Sequence, residues 1–146
     1  MRRASGDELD ATTLYALLKL RAEVFIAEQQ SPWLDVDGRD LDPSTVHLWL
    51  SDGAAPGGAV ATVRITDEGP GLAAIGRVCA APSHRGRGLI GELMTAALAE
   101  LDGRACLLEA QSRLESMYAK YGFAREGDEF IEDGIPHVPM RRPAGV

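Results

Sequence analysis

Residues 77–91 run Arg-Val-Cys-Ala-Ala-Pro-Ser-His-Arg-Gly-Arg-Gly-Leu-Ile-Gly, an apolar segment joined to a helix by a basic, glycine-rich turn. The helix is the strongest periodic signal in the chain. Ile90, Leu93, Met94, Ala97, Leu98 and Leu101 recur at helical spacing and form one apolar stripe. The first turn of such a helix has free backbone N–H groups and the positive end of the helix dipole, here beside Arg85 and Arg87. Glycines at 86, 88 and 91 let a backbone approach an anion closely. Strand, turn and helix together predict a site for a phosphorylated ligand. The competing reading is a strand-to-helix turn that binds nothing.

Gly86-x-Gly88-x-x-Gly91 matches the dinucleotide fingerprint, but the context differs. In that fold the glycines follow the first strand directly. Here residues 80–85 intervene, and about half the chain comes earlier. A nucleotide-dependent oxidoreductase is therefore a distant alternative, and the missing Lys-Ser or Lys-Thr excludes a P-loop.

The 146 residues are 45% hydrophobic, enough for one domain, 1–146, with its own core. The net charge of −7 argues against nucleic acid or an anionic membrane as partner and favours a cationic one. Cys79 and Cys106 sit in apolar runs and read as buried free thiols in a reducing compartment. No zinc spacing is present, no apolar run is long enough to span a membrane, and the start lacks the apolar core of a signal peptide. The expected location is cytoplasmic.

In chain order, a polar start leads to a helix over residues 12–28, capped by Thr12 or Thr13, with Leu14, Leu17, Leu18, Val24 and Phe25 on its apolar face. Arg21 falls on or beside that face. It is either paired with a carboxylate at the edge of the core or aimed into a site. Residues 28–42 form an acidic loop in which Asp35-x-Asp37-Gly38 hints only faintly at calcium and Trp33 is placed to grip a substrate. Strands over 46–50, 58–65 and 72–80 form an antiparallel meander. After the central helix, 104–110 is a strand parallel to the one before the turn. A short helix follows over 112–121, with Ser112 and Glu115 as a capping box, then strands over 123–131 and 135–140 and a frayed tail from 141 to 146.

Two motifs carry a resemblance to a known family. Arg85-x-x-Gly88 resembles the acyl-CoA loop of the GNAT acetyltransferases, with Ile90 where the family has Gly or Ala. Tyr118, four residues before Gly122-Phe123, resembles the family's C-terminal signature, with Gln111 at the position of its asparagine. Residues 20–29, Asp35-x-Asp37-Gly38-x-Asp40 and residues 132–137 are similar to the ElaA branch. The resemblance implies an α/β (α+β) GNAT fold. Its mixed central sheet of six to seven strands is splayed between strands 4 and 5 and flanked by about four helices. Acetyl-CoA is the implied co-substrate, with no metal. Val78, Cys79 and Ala80 would meet the pantetheine, Arg85, Gly86, Arg87, Gly88, Leu89, Ile90 and Gly91 the pyrophosphate, and Gln111 and Tyr118 would complete the cofactor set.

Acyl transfer to an amine needs an unprotonated nucleophile, a donor to the carbonyl oxygen and a proton for the leaving thiolate. The Val78 N–H is the expected oxyanion donor, and Tyr118 the expected acid by family position. His47, Glu28, Glu109 and His137 are candidate bases, with His137 preferred over Glu28. Arg21, Trp33, His47 and His137 are the candidate acceptor-binding residues. The partners expected are a small-molecule or peptide amine, cationic in one reading, and a second copy of the chain in a homodimer. The alternative from another class is a non-catalytic acyl-CoA-binding or sensing module.

Overall fold

The computed structural model describes residues 1–30, 34–54 and 58–145. Trp33 and part of the expected turn at 51–57 lie outside the described residues. Among these residues the chain forms β1 (Arg2–Ser5), α1 (Ala11–Arg21), β2 (Val46–Leu50), β3 (Ala61–Asp67), β4 (Leu72–Ala80), α2 (Leu89–Leu101), β5 (Ala105–Gln111), α3 (Glu115–Ala119), β6 (Ala124–Arg125), β7 (Phe130–Glu132) and β8 (Ile135–Arg142). The sheet runs β1-β2-β3-β4-β5-β8-β6, with β7 also paired to β8.

β1 to β4 form the expected antiparallel meander, and β5 is parallel to β4 across the α2 crossover. β4 and β5 share only three register pairs, Leu72↔Ala105, Ala73↔Cys106 and Ala74↔Leu107. Beyond them the sheet opens. α2 packs its stripe into the core, with Leu93, Met94, Ala97 and Leu101 fully buried against Val63, Ile65, Cys106 and Val138.

Several expectations change. β1 adds an edge strand where a polar start was expected. With only Ala4 buried along it, no alternation marks it in sequence. The expected strand over 123–131 is two short pieces, β6 and β7. The Glu126 N–H bonds to the Pro139 carbonyl, so the Pro139 nitrogen faces the same edge and has no hydrogen to donate there. The tail is tied rather than frayed: β8 runs on to Arg142, and the Gly145 N–H bonds to the Gly103 carbonyl. Asp10, not Thr12 or Thr13, caps α1, accepting from the Thr13 N–H at 2.7 Å. The helix reaches Glu28 as expected, but Ala22–Glu28 is wound as π-helix. The Ser112–Glu115 capping box does not form. Ser112 donates to Glu129, and Glu115 pairs with Arg125.

The loop after the π-helix is held by charge. Arg21, on α1 and 1% exposed, donates to Asp35 Oδ2 at 3.0 Å and to Asp40 Oδ1 at 2.6 Å. Arg64 of β3 holds Asp37 and Asp40, and Arg77 of β4 holds Asp35 and Asp37. The carboxylates that hinted at calcium are thus bound to arginines. Hydrogen bonds from Arg64 hold Asp37 below the usual carboxylate range; for Asp40 burial, pushing up, is the largest single cause, but Arg21 and Arg64 together outweigh it and hold this carboxyl low as well.

His47 of β2 lies under the same loop, 2% exposed, its Nε2–H donating to the Asp40 carbonyl at 2.9 Å. Burial lowers its pKa, with Arg21 and Arg64 adding to the effect and Asp40 opposing it. The unfolded imidazole titrates near ~6.5. As pH falls, the unfolded chain therefore takes up this proton before the folded chain does. The stability from neutral His47 is full above that pH and is lost below it. Melting temperature should fall from pH 7 to pH 5, with a contribution from this group of at most about 1.4 kcal/mol per pH unit. In His47→Gln, whose amide keeps a donor for Asp40, that part of the slope should vanish. Identical slopes in the two proteins would show that His47 titrates normally.

Candidate active site

A bulge in β4, where Arg77 and Val78 stand opposite the single residue Val63, combines with the π-helix after α1 and the opening between β4 and β5 to make a cleft. The π-helix carries Phe25, Glu28 and the following Gln29 to its rim, and such turns recur at functional sites. α3 brings Tyr118, and β8 brings His137. Tyr118 and His137 line the same gap of about 120 Å³, with Val78, Gln111 and Glu109.

On one side the gap continues into a cavity of about 240 Å³ lined by Val78, Cys79, Ala80, Arg85, Ile90 and Glu28. The glycine-rich turn closes this side. Gly86 and Gly88 have φ of +79° and +75°, a left-handed backbone that L side chains adopt poorly, and nothing lies within 4 Å of a Cβ built on either. Gly88 is the N-cap of the 13-residue α2, so Leu89, Ile90 and Gly91 form the first turn. Arg85 bonds to the Ala80 carbonyl and pairs with Glu28 at 2.8 Å, while Arg87 is exposed on the loop. A built turn, a helix start and arginines beside an open cavity fit a pyrophosphate-bearing ligand. Gln111 Nε2 bonds to Gln29 Oε1 at 3.4 Å, and its oxygen accepts from Arg113.

On the other side the gap joins a cleft of about 440 Å³ that His137, Glu109 and Glu132 share with it. The Nδ1–H of His137 donates to the Ile135 carbonyl at 2.8 Å, which leaves Nε2 of the neutral ring as an acceptor. Phe130 stacks on the ring, with centroids 5.7 Å apart and planes at 20°. Tyr118 is 6% exposed and meets Phe123 edge-on. Burial pushes its phenol up to about 12, so it keeps its proton.

Not every candidate gathers here. Arg21 and His47, expected on the acceptor side, are committed to the buried loop network and line none of these cavities. Glu28 stands with Arg85 on the phosphate side rather than beside His137. Glu109 does line the gap and the larger cleft. Phe25, Gln29, Arg77 and Phe130 were not expected. The run of three aspartates in 35–40, which calls for buried arginine partners, is a sequence signal for Arg77 but not for the other three.

The sequence profile of the acetyltransferase (GNAT) domain matches residues 19–143. A UPF0039 protein of Mycobacterium tuberculosis strain H37Rv is 48% identical over 147 residues, covering 98% of this chain and 92% of that protein. The crystal structure of an acyl-CoA N-acyltransferase from Pseudomonas aeruginosa superposes with a TM-score of 0.87 at 37% identity, covering 97% of each chain. That of Escherichia coli ElaA gives a TM-score of 0.87 at 32% identity, again over 97% of each chain.

The turn's geometry has a direct test. Gly88→Ala forces a Cβ into left-handed backbone and should destabilise the fold by about 1–2 kcal/mol. Gly76→Ala, where φ is ordinary and nothing lies within 4 Å of the added Cβ, should change little. Equal melting temperatures for the two variants would mean that residue 88 relaxes out of that conformation.

Proposed function

Because the chain belongs to the acetyltransferase (GNAT) domain family, in its ElaA-like branch, we propose that it moves an acetyl group from acetyl-CoA to a primary amine by direct attack in a ternary complex. Membership makes it an acyltransferase that uses a CoA-linked acyl donor. The observation that carries the finer reading is the convergence of Tyr118 and the His137 acceptor nitrogen on one gap, where β4 parts from β5.

Bound acetyl-CoA supplies an activated thioester carbonyl and a thiolate leaving group. The chain's residues supply the rest. Gly86 to Gly91 and Arg85 hold the phosphate end, with Arg85 exchanging Glu28 for the ligand. His137 Nε2 accepts a proton from the incoming ammonium, directly or through a water, so that the free amine attacks. The Val78 N–H donates to the oxygen on which negative charge develops. The Tyr118 hydroxyl, protonated at neutral pH, gives its proton to the departing sulfur, and the second proton of the attacking nitrogen, released as the amide forms, returns the phenolate to the neutral phenol.

Direct attack is favoured over an acetyl-cysteine because of Cys79. This thiol lines the phosphate side of the cleft, yet burial pushes it up to about 12. At neutral pH such a thiol stays protonated, and the thiolate is the nucleophile.

Tyr118→Phe keeps the ring and its packing and removes the hydroxyl. The variant should fold normally and bind acetyl-CoA as wild type does. Its kcat should fall by about 10²-fold, the lower end for general acid catalysis, with KM little changed. Turnover assays beside a melting curve check this. A wild-type kcat would remove Tyr118 from the mechanism, whereas acetyl-CoA binding with no turnover of any amine by the wild type would favour the sensing module.

The acceptor is read as cationic. Arg39, Arg64 and Arg77 in the larger cleft are each paired to carboxylates. Glu109, Glu126 and Glu132 line the same cleft and make no ion pair among the described residues. In a panel of diamines, neutral amines and acidic amino acids, kcat/KM should be highest for the diamines and fall with added salt. Glu132→Gln should lower it by about 2–5-fold for diamines alone. A panel in which only neutral or acidic amines react would overturn the cationic reading.

A further inference from the structure

Arg77 is where β4 departs from regular geometry. The ladder with β3 steps from Thr62↔Cys79 to Arg64↔Gly76, so Arg77 and Val78 stand opposite the single residue Val63. Arg77 has φ of +54°. The other non-glycine residues with positive φ among the described residues, Gln30, Asp102 and Asp133, lie outside strands; Arg77 lies inside one. Glycine is the usual occupant of a left-handed bulge position, and here glycine stands one residue earlier, at 76. An L side chain in that conformation persists only where its surroundings over-determine it.

The surroundings do so through the acidic loop. The Arg77 Nε lies 2.9 Å from Asp35 Oδ1, and its Nη2 donates to the Asp35 carbonyl at 3.0 Å and to Asp37 Oδ2 at 3.3 Å. Asp35 is 4% exposed and fixed in turn by Arg21. The loop grips the side chain, and the side chain fixes its own backbone. The next residue, Val78, lines both the gap and the phosphate-side cavity.

We propose that Arg77 is a positioning residue: its ion pair with Asp35 holds the β4 bulge left-handed, and so aims the Val78 N–H at the thioester carbonyl. The proposal rests on the acyl-transfer reading above. It makes the acidic loop part of the reaction's architecture through Asp35, which acts on the site by way of Arg77.

The test uses acetyl-CoA labelled with ¹³C at the carbonyl, bound to wild type, Arg77→Leu and Arg77→Gly. Isotope-edited infrared spectra read the carbonyl stretch, beside Kd by calorimetry, kcat on the best amine of the panel, and a melting curve. In wild type the stretch should lie below that of free acetyl-CoA, because a hydrogen bond to the oxygen weakens the C=O bond. Arg77→Leu should lose this shift and about 10²-fold in kcat, with Kd close to wild type. Arg77→Gly loses the charge but adopts positive φ without penalty. It should melt earlier, keep the carbonyl shift and lose less kcat than Arg77→Leu. If Arg77→Leu does not fold, Arg77→Lys replaces it. Its single ammonium cannot hold both the carboxylate and the carbonyl of Asp35, so it too should lose shift. A full shift in the Leu or Lys variant, or a Gly variant as impaired as the Leu variant, would overturn the proposal alone. A wild-type chain that binds no acetyl-CoA would overturn the acyl-transfer reading and the proposal together.

Discussion

Three arginines from three regular elements meet three aspartates from one loop, and the geometry of the cleft depends on that meeting. Arg21, Arg64 and Arg77 come from α1, β3 and β4, while Asp35, Asp37 and Asp40 lie within six residues of one another. A buried charge without its partner is costly, so removing one member of such a pair typically costs about 3–5 kcal/mol. Among the described residues of the loop, Leu34, Val36 and Leu41 are all exposed, while Asp35 and Asp40 are buried. Its position is therefore set by electrostatics. The same contacts bring the Asp40 carbonyl onto His47 and the Asp35 carbonyl onto Arg77. Planar guanidinium forks suit this task better than point charges, because each one spans three or four oxygens in fixed directions.

Along the cleft the electrostatic character changes sign. The phosphate side has Arg85, Arg87 and the start of α2, with Glu28 as the local counter-charge. The opposite side has carboxylates whose neighbouring arginines are already engaged. Between them lies a gap with a protonated, buried phenol and an imidazole fixed in one tautomer. An anionic donor entering from one end and a cationic acceptor from the other would each meet complementary charge. This arrangement reconciles a chain of net charge −7 with a site for a polyanion.

What the sequence reveals follows the range of the interactions. The α2 stripe, the glycine turn and the meander are local patterns, and all three are legible. So is Tyr118, through its spacing from Gly122 and Phe123. Arg21 is legible as an anomaly on an apolar face, but its partners lie 14 and 19 residues away, and no periodicity points to them. The π-winding of Ala22–Glu28 is hidden because its residues also suit an α-helix. The break between β6 and β7 depends on which edge the Pro139 nitrogen faces, a matter of strand pairing rather than composition. Arg77 has the least local signal: an arginine is the last residue expected at a left-handed bulge, and only its aspartate partners make sense of it.

The three rungs between β4 and β5 leave the sheet unevenly stiff. At the Leu72–Ala74 end the two halves are laced by hydrogen bonds; beyond it β4 and β5 share no further register pairs among the described residues, and the halves meet through side-chain packing in the shared core and the Gln111–Gln29 hydrogen bond. Backbone amides and carbonyls along the open lips still need partners. A molecule lying between the lips can serve as missing rungs for both halves at once, so part of its binding free energy goes into bracing the sheet. The fold resembles a clothes-peg with its spring at one end, whose jaws are most rigid when something is held between them.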